Sequence, residues 1–187
     1  GDGARTPEDR GTVVAAVVSE LPGRGPASPA GDPPPPAEDA PAGVAGSAAD
    51  RQEAPDSVEG WRAVVAELYR RRAVAFASAS ADQLADVYTT ESPLRAPDEE
   101  HARRLAAAGE ILRGFTPTVV AVTATSSPGD RVEMDLVDRW PDYDVVPTGA
   151  ADGPALRTEH GRPEAGVRMV LVRTADGWRI DTAHRLP

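Results

Sequence analysis

Residues Gly166 to His184, GVRMVLVRTADGWRIDTAH, decide the fold. Two apolar, β-branched-rich runs flank Ala175-Asp176-Gly177. Asp-Gly between such runs predicts a tight hairpin, because the turn needs a positive φ that glycine adopts at little cost. On the second strand a period of two puts Trp178, Ile180, Thr182 and His184 on one face. Trp178 is expected between this hairpin and the first helix, near Leu68.

Upstream of the hairpin the pattern stays strand-like as far back as Gly109. Arg131 to Arg139 sets Val132, Met134 and Leu136 against Glu133 and Asp135, so one face is buried and the other wet. Pro128-Gly129-Asp130 is the turn before it. Ile111-Leu112 and Val119 to Thr125 read as a long strand or strand pair, with a bulge or sharp bend at Gly114. Pro141 breaks the next run, Tyr143 to Val146 reads as another strand, and Pro147 to Pro163 reads as a polar loop. Asp138, Asp142 and Asp144 surround Trp140 and Tyr143, and read as an acidic loop in preference to a metal site.

Before Gly109 the period is helical. Asp56 or Ser57 can cap a helix, with Glu59 placed to return the bond. Trp61, Val64, Val65, Leu68, Arg72, Ala75 and Phe76 follow at spacings of three and four, an apolar stripe along which the Arg72 stem lies. Ser80 caps a shorter helix with Leu84, Val87 and Tyr88 inward. Pro97 fits the first turn of a third helix, where Asp98, Glu99 and Glu100 meet its positive end, and Gly109 stops it. Three helices followed by four to six antiparallel strands define an α+β architecture.

Residues 1–55 differ. They hold Pro33-Pro34-Pro35-Pro36 and no aromatic side chain, whereas all eight aromatics fall between Trp61 and Trp178. Such a stretch cannot bury enough surface to offset the entropy of ordering it, and it reads as a Pro/Ala/Gly-rich linker or stalk. Its one apolar run, 12–18, is the part that could dock on the domain formed by 56–187.

Composition excludes several function classes. The net charge is −10, which argues against a nucleic-acid partner. All 20 basic residues are arginine, a mark of a GC-rich genome. Cysteine is absent, which removes disulfides, thiolate metal sites and thiol catalysis. His101, His160 and His184 lack any recognised ligand spacing, and no phosphate- or dinucleotide-binding loop is present. No metal or cofactor requirement is expected.

The helix beginning Gly60-Trp61, the short helix ending Asp86-Val87-Tyr88, the bend at Gly114 and the run Asp176-Gly177-Trp178-Arg179 together resemble the nuclear transport factor 2-like (NTF2-like) superfamily. The resemblance spans about residues 57–187. It implies N-terminal helices packed on a curved antiparallel sheet, an α+β cone. More narrowly, the chain resembles extracytoplasmic domains of actinobacterial membrane proteins carried after a Pro/Ala-rich stalk. That likeness implies an extracytoplasmic placement, with a transmembrane segment upstream.

The function expected on these grounds is a noncatalytic binding or interaction domain. The alternatives are a small-molecule isomerase or cyclase, cytoplasmic in origin, and a structural module that forms a homodimer through its sheet. A ligand, if a small molecule, should be mostly apolar and lie in the cone; otherwise the partner is a protein. Tyr69, Tyr88, Trp140 and His184 are the candidate pocket-mouth residues, because the helical and strand periods bring these polar-tipped groups nearest that space. No catalytic set converges, so none is assigned.

Overall fold

The computed structural model describes residues 53–126 and 129–187. The proline-rich segment and its apolar run at 12–18 lie outside them.

Helix α1 (Val58–Ala77) starts where the capping signal places it: the Ser57 hydroxyl accepts from the Gly60 amide at 3.1 Å. The buried stripe is the expected one with Tyr69 added. The second helical segment is a 3-10 turn, Ala81–Asp86. Helix α2 runs from Arg95 to Ala108 and ends at Gly109 in the left-handed conformation.

Among the described residues there are seven strands in two antiparallel sheets. The larger sheet orders β2 (Thr118–Ser126), β3 (Arg131–Trp140), β6 (Arg162–Thr174) and β7 (Gly177–Arg185) as β2-β3-β6-β7. The smaller one orders β1 (Glu110–Arg113), β4 (Tyr143–Pro147) and β5 (Arg157–Glu159) as β1-β4-β5. Gly114 separates β1 from β2, so the expected bend falls between two strands of different sheets. The extra strand, β5, lies in the stretch that reads as loop. Two side-chain contacts hold it: Arg157 donates to both carboxylate oxygens of Glu110 at 3.0 and 2.9 Å, and Thr158 donates to Asp144 at 2.7 Å.

The closing hairpin has the predicted turn, with Thr174 opposite Gly177 and Gly177 at φ +110°. Trp178 is buried and meets Trp61 edge-on, ring centroids 4.8 Å apart. Its partner ring therefore lies near the start of α1, about two turns before Leu68. Both edges of the larger sheet are covered. Along β7, Ile180 exchanges backbone bonds with Val87 and Thr89 at 2.9 Å each. At β2 the Arg62 side chain donates to the Val119 carbonyl at 3.4 Å.

Candidate functional site

The inner face of β3 carries Val132, Met134, Leu136, Asp138 and Trp140, all buried. The strand does not stop before Asp138, so the reading of that residue as part of an acidic loop is corrected. The period of two that buries Leu136 also buries Asp138. A carboxylate so placed must be hydrogen-bonded or paired. The Tyr69 hydroxyl, from α1, donates to Asp138 Oδ2 at 2.5 Å. Arg162, from the start of β6, donates through Nη2 to Asp138 Oδ1.

Arg162 sits opposite Trp140 in the register, and its guanidinium lies over the indole at 4.2 Å from the ring centroid. Gly161 allows this placement. A Cβ there would come within 2.3 Å of the Pro141 carbonyl carbon and 2.4 Å of the Trp140 carbonyl oxygen. The Gly161 amide also donates to Asp142 at 2.7 Å, which pins the turn. Arg162 is 9% exposed, and its Nε and Nη1 are buried with no hydrogen-bond partner. Burial works against its charge.

A second set lies between the helices. Arg72 donates to both oxygens of Asp98, Nε to Oδ2 at 2.6 Å and Nη2 to Oδ1 at 3.0 Å. The Tyr88 hydroxyl donates to the same Oδ2 at 2.5 Å. Phe76 and Phe115 flank the guanidinium at 5.2 and 5.3 Å. Arg72 was expected to lay only its stem along the stripe, and Asp98 to serve the helix dipole. Both stand where expected, Arg72 in the stripe and Asp98 in the first turn of α2, but their charged groups are buried as well: Arg72 is 1% exposed and Asp98 fully buried. A guanidinium carried inward by the stripe requires a carboxylate, and the first turn of α2 supplies it.

The four candidate mouth residues therefore separate. Tyr69 and Trp140 converge on Asp138 and Arg162, while Tyr88 belongs to the helix-side set. The tyrosines still sense each other: burial raises the Tyr69 hydroxyl well above its ordinary value, Arg72 and Arg162 oppose the rise, and Tyr88 adds to it. Burial, then Asp98, raises Tyr88 likewise.

His184 does not join them; it is exposed. The expected alternation fails at Asp181, because Val170 pairs with Thr182 while Leu171 pairs with Ile180. This bulge shifts every later residue by one, so Ala183 is buried instead. The remaining histidine of interest is His101, whose Nε2 is buried without a partner beside Phe76. Burial pushes its pKa down to about 4.

Arg72, Asp98, Asp138 and Arg162 are the residues that sequence reasoning missed as a site. The signal for Asp138 was present two positions beyond Leu136. Arg162 carried none, because it lies in the stretch that reads as loop. The neighbouring carboxylates serve structure: Asp144 takes Arg113 at 2.8 Å as well as Thr158. Among the described residues no three His, Asp or Glu side chains converge as metal ligands, and no helix is long and apolar enough to cross a membrane.

Neither a known family model nor a curated protein matches this sequence. Solved structures do. The intermembrane space region of the chloroplast protein ARC6 overlaps 71% of this chain and 98% of its own at a TM-score of 0.52 and 15% identity. An NTF2-like superfamily protein of Salmonella enterica serovar Typhimurium overlaps 70% and 92% at 0.41 and 12% identity. An NTF2-like protein with a cystatin-like fold from Novosphingobium aromaticivorans overlaps 70% and 89% at 0.35 and 17% identity. At such identities the likeness is one of fold and carries no activity across. With α1 and α2 packed on two antiparallel sheets, the chain has an α+β fold that it shares with the ARC6 intermembrane space region.

Proposed function

We propose that this chain is a noncatalytic binding domain carried outside the cytoplasm, and that its ligand meets Arg162. The observation that carries the reading is the pair of buried donors, Nε and Nη1 of Arg162, left without partners beside the face of Trp140. Buried guanidinium donors are nearly always engaged, so an unengaged pair suits an acceptor-bearing molecule. Trp140, Tyr143 and Phe115 are buried apolar neighbours beside it; the Phe115 ring lies 6.1 Å from Trp140 and 5.2 Å from Tyr143. The ligand class is a small, mostly apolar molecule with one oxygen-bearing group.

The isomerase or cyclase alternative needs a carboxylate able to take a proton. Asp98 and Asp138 are each held by an arginine and a tyrosine hydroxyl. Both oxygens of each already accept hydrogen bonds from these partners, so neither carboxylate is presented to a substrate proton. The stalk-like composition of residues 1–55 supports the extracytoplasmic placement, where the domain would be held away from an anchor. The outer faces of β3 and β6 carry ion pairs, Arg168 with Asp135 at 2.8 Å and Arg139 with Glu164 at 3.5 Å, which favours a wetted sheet over a dimer seam.

Titration of the 187-residue protein with decanoate, followed by tryptophan fluorescence and by the Arg162 guanidinium Nε–H signal, tests the reading. Binding that is lost in Arg162→Leu is expected. Equal binding by wild type and Arg162→Leu would overturn the site.

A further inference from the structure

Far from Arg162, near the other end of the β6–β7 pair, a cleft of about 470 Å3 opens between α1, the 3-10 turn Ala81–Asp86 and β7. Three arginines line it, Arg70 and Arg71 from α1 and Arg179 from β7, with Glu67, Gln83 and Asp86 between them. Their states differ. Glu67 accepts from Arg70 at 2.8 and 2.7 Å and from Arg71 at 3.1 Å. With two guanidinium groups on it, its carboxyl is held down to about 2. Glu67 is therefore fully engaged along the helix surface.

Arg179 is not balanced in this way. It is 6% exposed, and among the described residues its hydrogen bond is to the Trp178 carbonyl, from Nη1 at 2.9 Å. The Asp86 carboxylate stands 3.9 Å from Nη2, outside hydrogen-bond reach, and is itself 68% exposed. Asp176 is exposed at the hairpin tip. Burial and the neighbouring Arg71 both work against the Arg179 charge. A nearly buried cation thus borders an open cleft, with the Arg71 guanidinium, which also donates from Nη1 to the Asp86 carbonyl at 3.2 Å, nearby and only water-exposed carboxylates to answer it. Cations in that position recruit anions.

We propose that this cleft seats a tetrahedral oxyanion, a phosphate or sulfate group, between Arg179 and Arg71. A planar carboxylate suits it less, because Glu67 already occupies the planar seat between Arg70 and Arg71. The remaining donors come from a helix on one side and a strand on the other. That arrangement matches an anion with oxygens pointing several ways. The Gln83 amide, which now donates to Ser78 at 3.4 Å, is a further donor on the same wall. Asp86 and Asp176 can turn to solvent when the anion enters. The site shares no residue with the Arg162 cluster and stands or falls apart from it.

The test uses the full chain and two probes. Inorganic phosphate is titrated by calorimetry and by the arginine guanidinium N–H signals, with chloride at matched ionic strength as the reference. Phosphatidylcholine vesicles with and without phosphatidate separate a lipid headgroup from a free anion. Wild type should bind phosphate in preference to chloride. Arg179→Gln and Arg71→Gln should each weaken it about tenfold, the loss of one charge-assisted contact. Arg71 is partly exposed, so its variant reports even if Arg179→Gln folds poorly. Arg104→Gln, which removes an exposed arginine on α2, should change nothing. Binding only to phosphatidate vesicles, with the same dependence on Arg71 and Arg179, supports the site with a headgroup as the source. Equal weakening by Arg104→Gln, or no preference for either phosphate probe, overturns it.

Discussion

Two buried Arg–Asp–Tyr sets share one interior and end in different states. Arg72, Asp98 and Tyr88 are joined across α1 and α2 by a two-pronged ion pair and a phenol bond, and two phenylalanine rings flank the cation. Arg162, Asp138 and Tyr69 use the same groups, but Arg162 reaches Asp138 with one nitrogen and leaves Nε and Nη1 unengaged. The difference follows from position. Arg72 projects from the middle of a helix into a gap that a second helix closes. Arg162 projects from the first residue of β6, where Gly161 brings the chain hard against Trp140 and the guanidinium lies over the indole. Residue type alone does not separate a brace from a recognition group; the count of donors still unengaged does.

The largest expected effect comes from breaking the closed set. Asp98→Ala leaves Arg72 charged and buried without its counter-ion, and should cost about 3–5 kcal/mol of unfolding free energy. Asp138→Asn leaves Arg162 stacked on Trp140 and keeps an acceptor at that position, and should cost about 1–3 kcal/mol. Denaturant unfolding of both variants measures the contrast. Equal losses would mean that the two sets are braces of one kind.

Gly161→Ala sharpens the comparison from the backbone side. Its Cβ would meet the Pro141 and Trp140 backbone, so the β6 start must move, at a cost of about 1–3 kcal/mol. The movement should change the Arg162 guanidinium Nε–H signal and leave that of Arg72 in place. A shift of both signals would show that the sets are mechanically coupled.

Most of the fold was legible because it rests on periodicity. The α1 stripe, the β3 alternation and the Asp176-Gly177 turn are local patterns, and each appears where its spacing places it. The site was less legible for two physical reasons. A charged residue inside an apolar period, such as Arg72 or Asp138, looks like a boundary until its partner is known, and both partners lie far away in sequence. A bulge is the second reason. One extra residue at Asp181 turned His184 outward, and no composition signal marks that position. Arg162 was hidden further, since β6 begins inside a stretch rich in glycine and proline.

A smaller effect is expected from pH, and it tests the helix-side set through its neighbour. His101 packs against Phe76, and its folded pKa of about 4 lies below the ordinary value of 6.5. The unfolded chain therefore binds a proton at a higher pH than the folded one does. The stability this contributes is complete above pH 6.5 and falls away as pH drops from 6.5 toward 4. Glu67 acts in a separate window: its folded pKa of about 2 is lowered from 4.5, so its contribution is present above 4.5 and lost below it. Thermal melts between pH 7 and 4.5 should show a decline in wild type that His101→Gln flattens. An unchanged slope in that variant would remove His101 as the cause.

The smallest expected effect is the removal of residues 1–55. Both sets draw every member from 56–187, as do all three tyrosines of the chain. Tyr143 is pushed up to about 12 by burial first and Glu159 second, and burial likewise raises Tyr69 and Tyr88 well above the ordinary phenol value. A chain beginning at Asp56 should then melt cooperatively and match the full chain in tyrosinate absorbance, with no ionisation until the alkaline limit at which the fold itself opens. The two tyrosines that close the Arg–Asp sets act here as internal reporters of those sets. Early ionisation of one tyrosine in the shortened chain would mean that the first 55 residues help seal the interior. Early ionisation in both chains would mean instead that one set opens to water in the intact protein. Titrating Tyr69→Phe and Tyr88→Phe alongside would assign that opening to the Arg162 set or to the Arg72 set, and so decide whether the set with unengaged donors is the one that admits water.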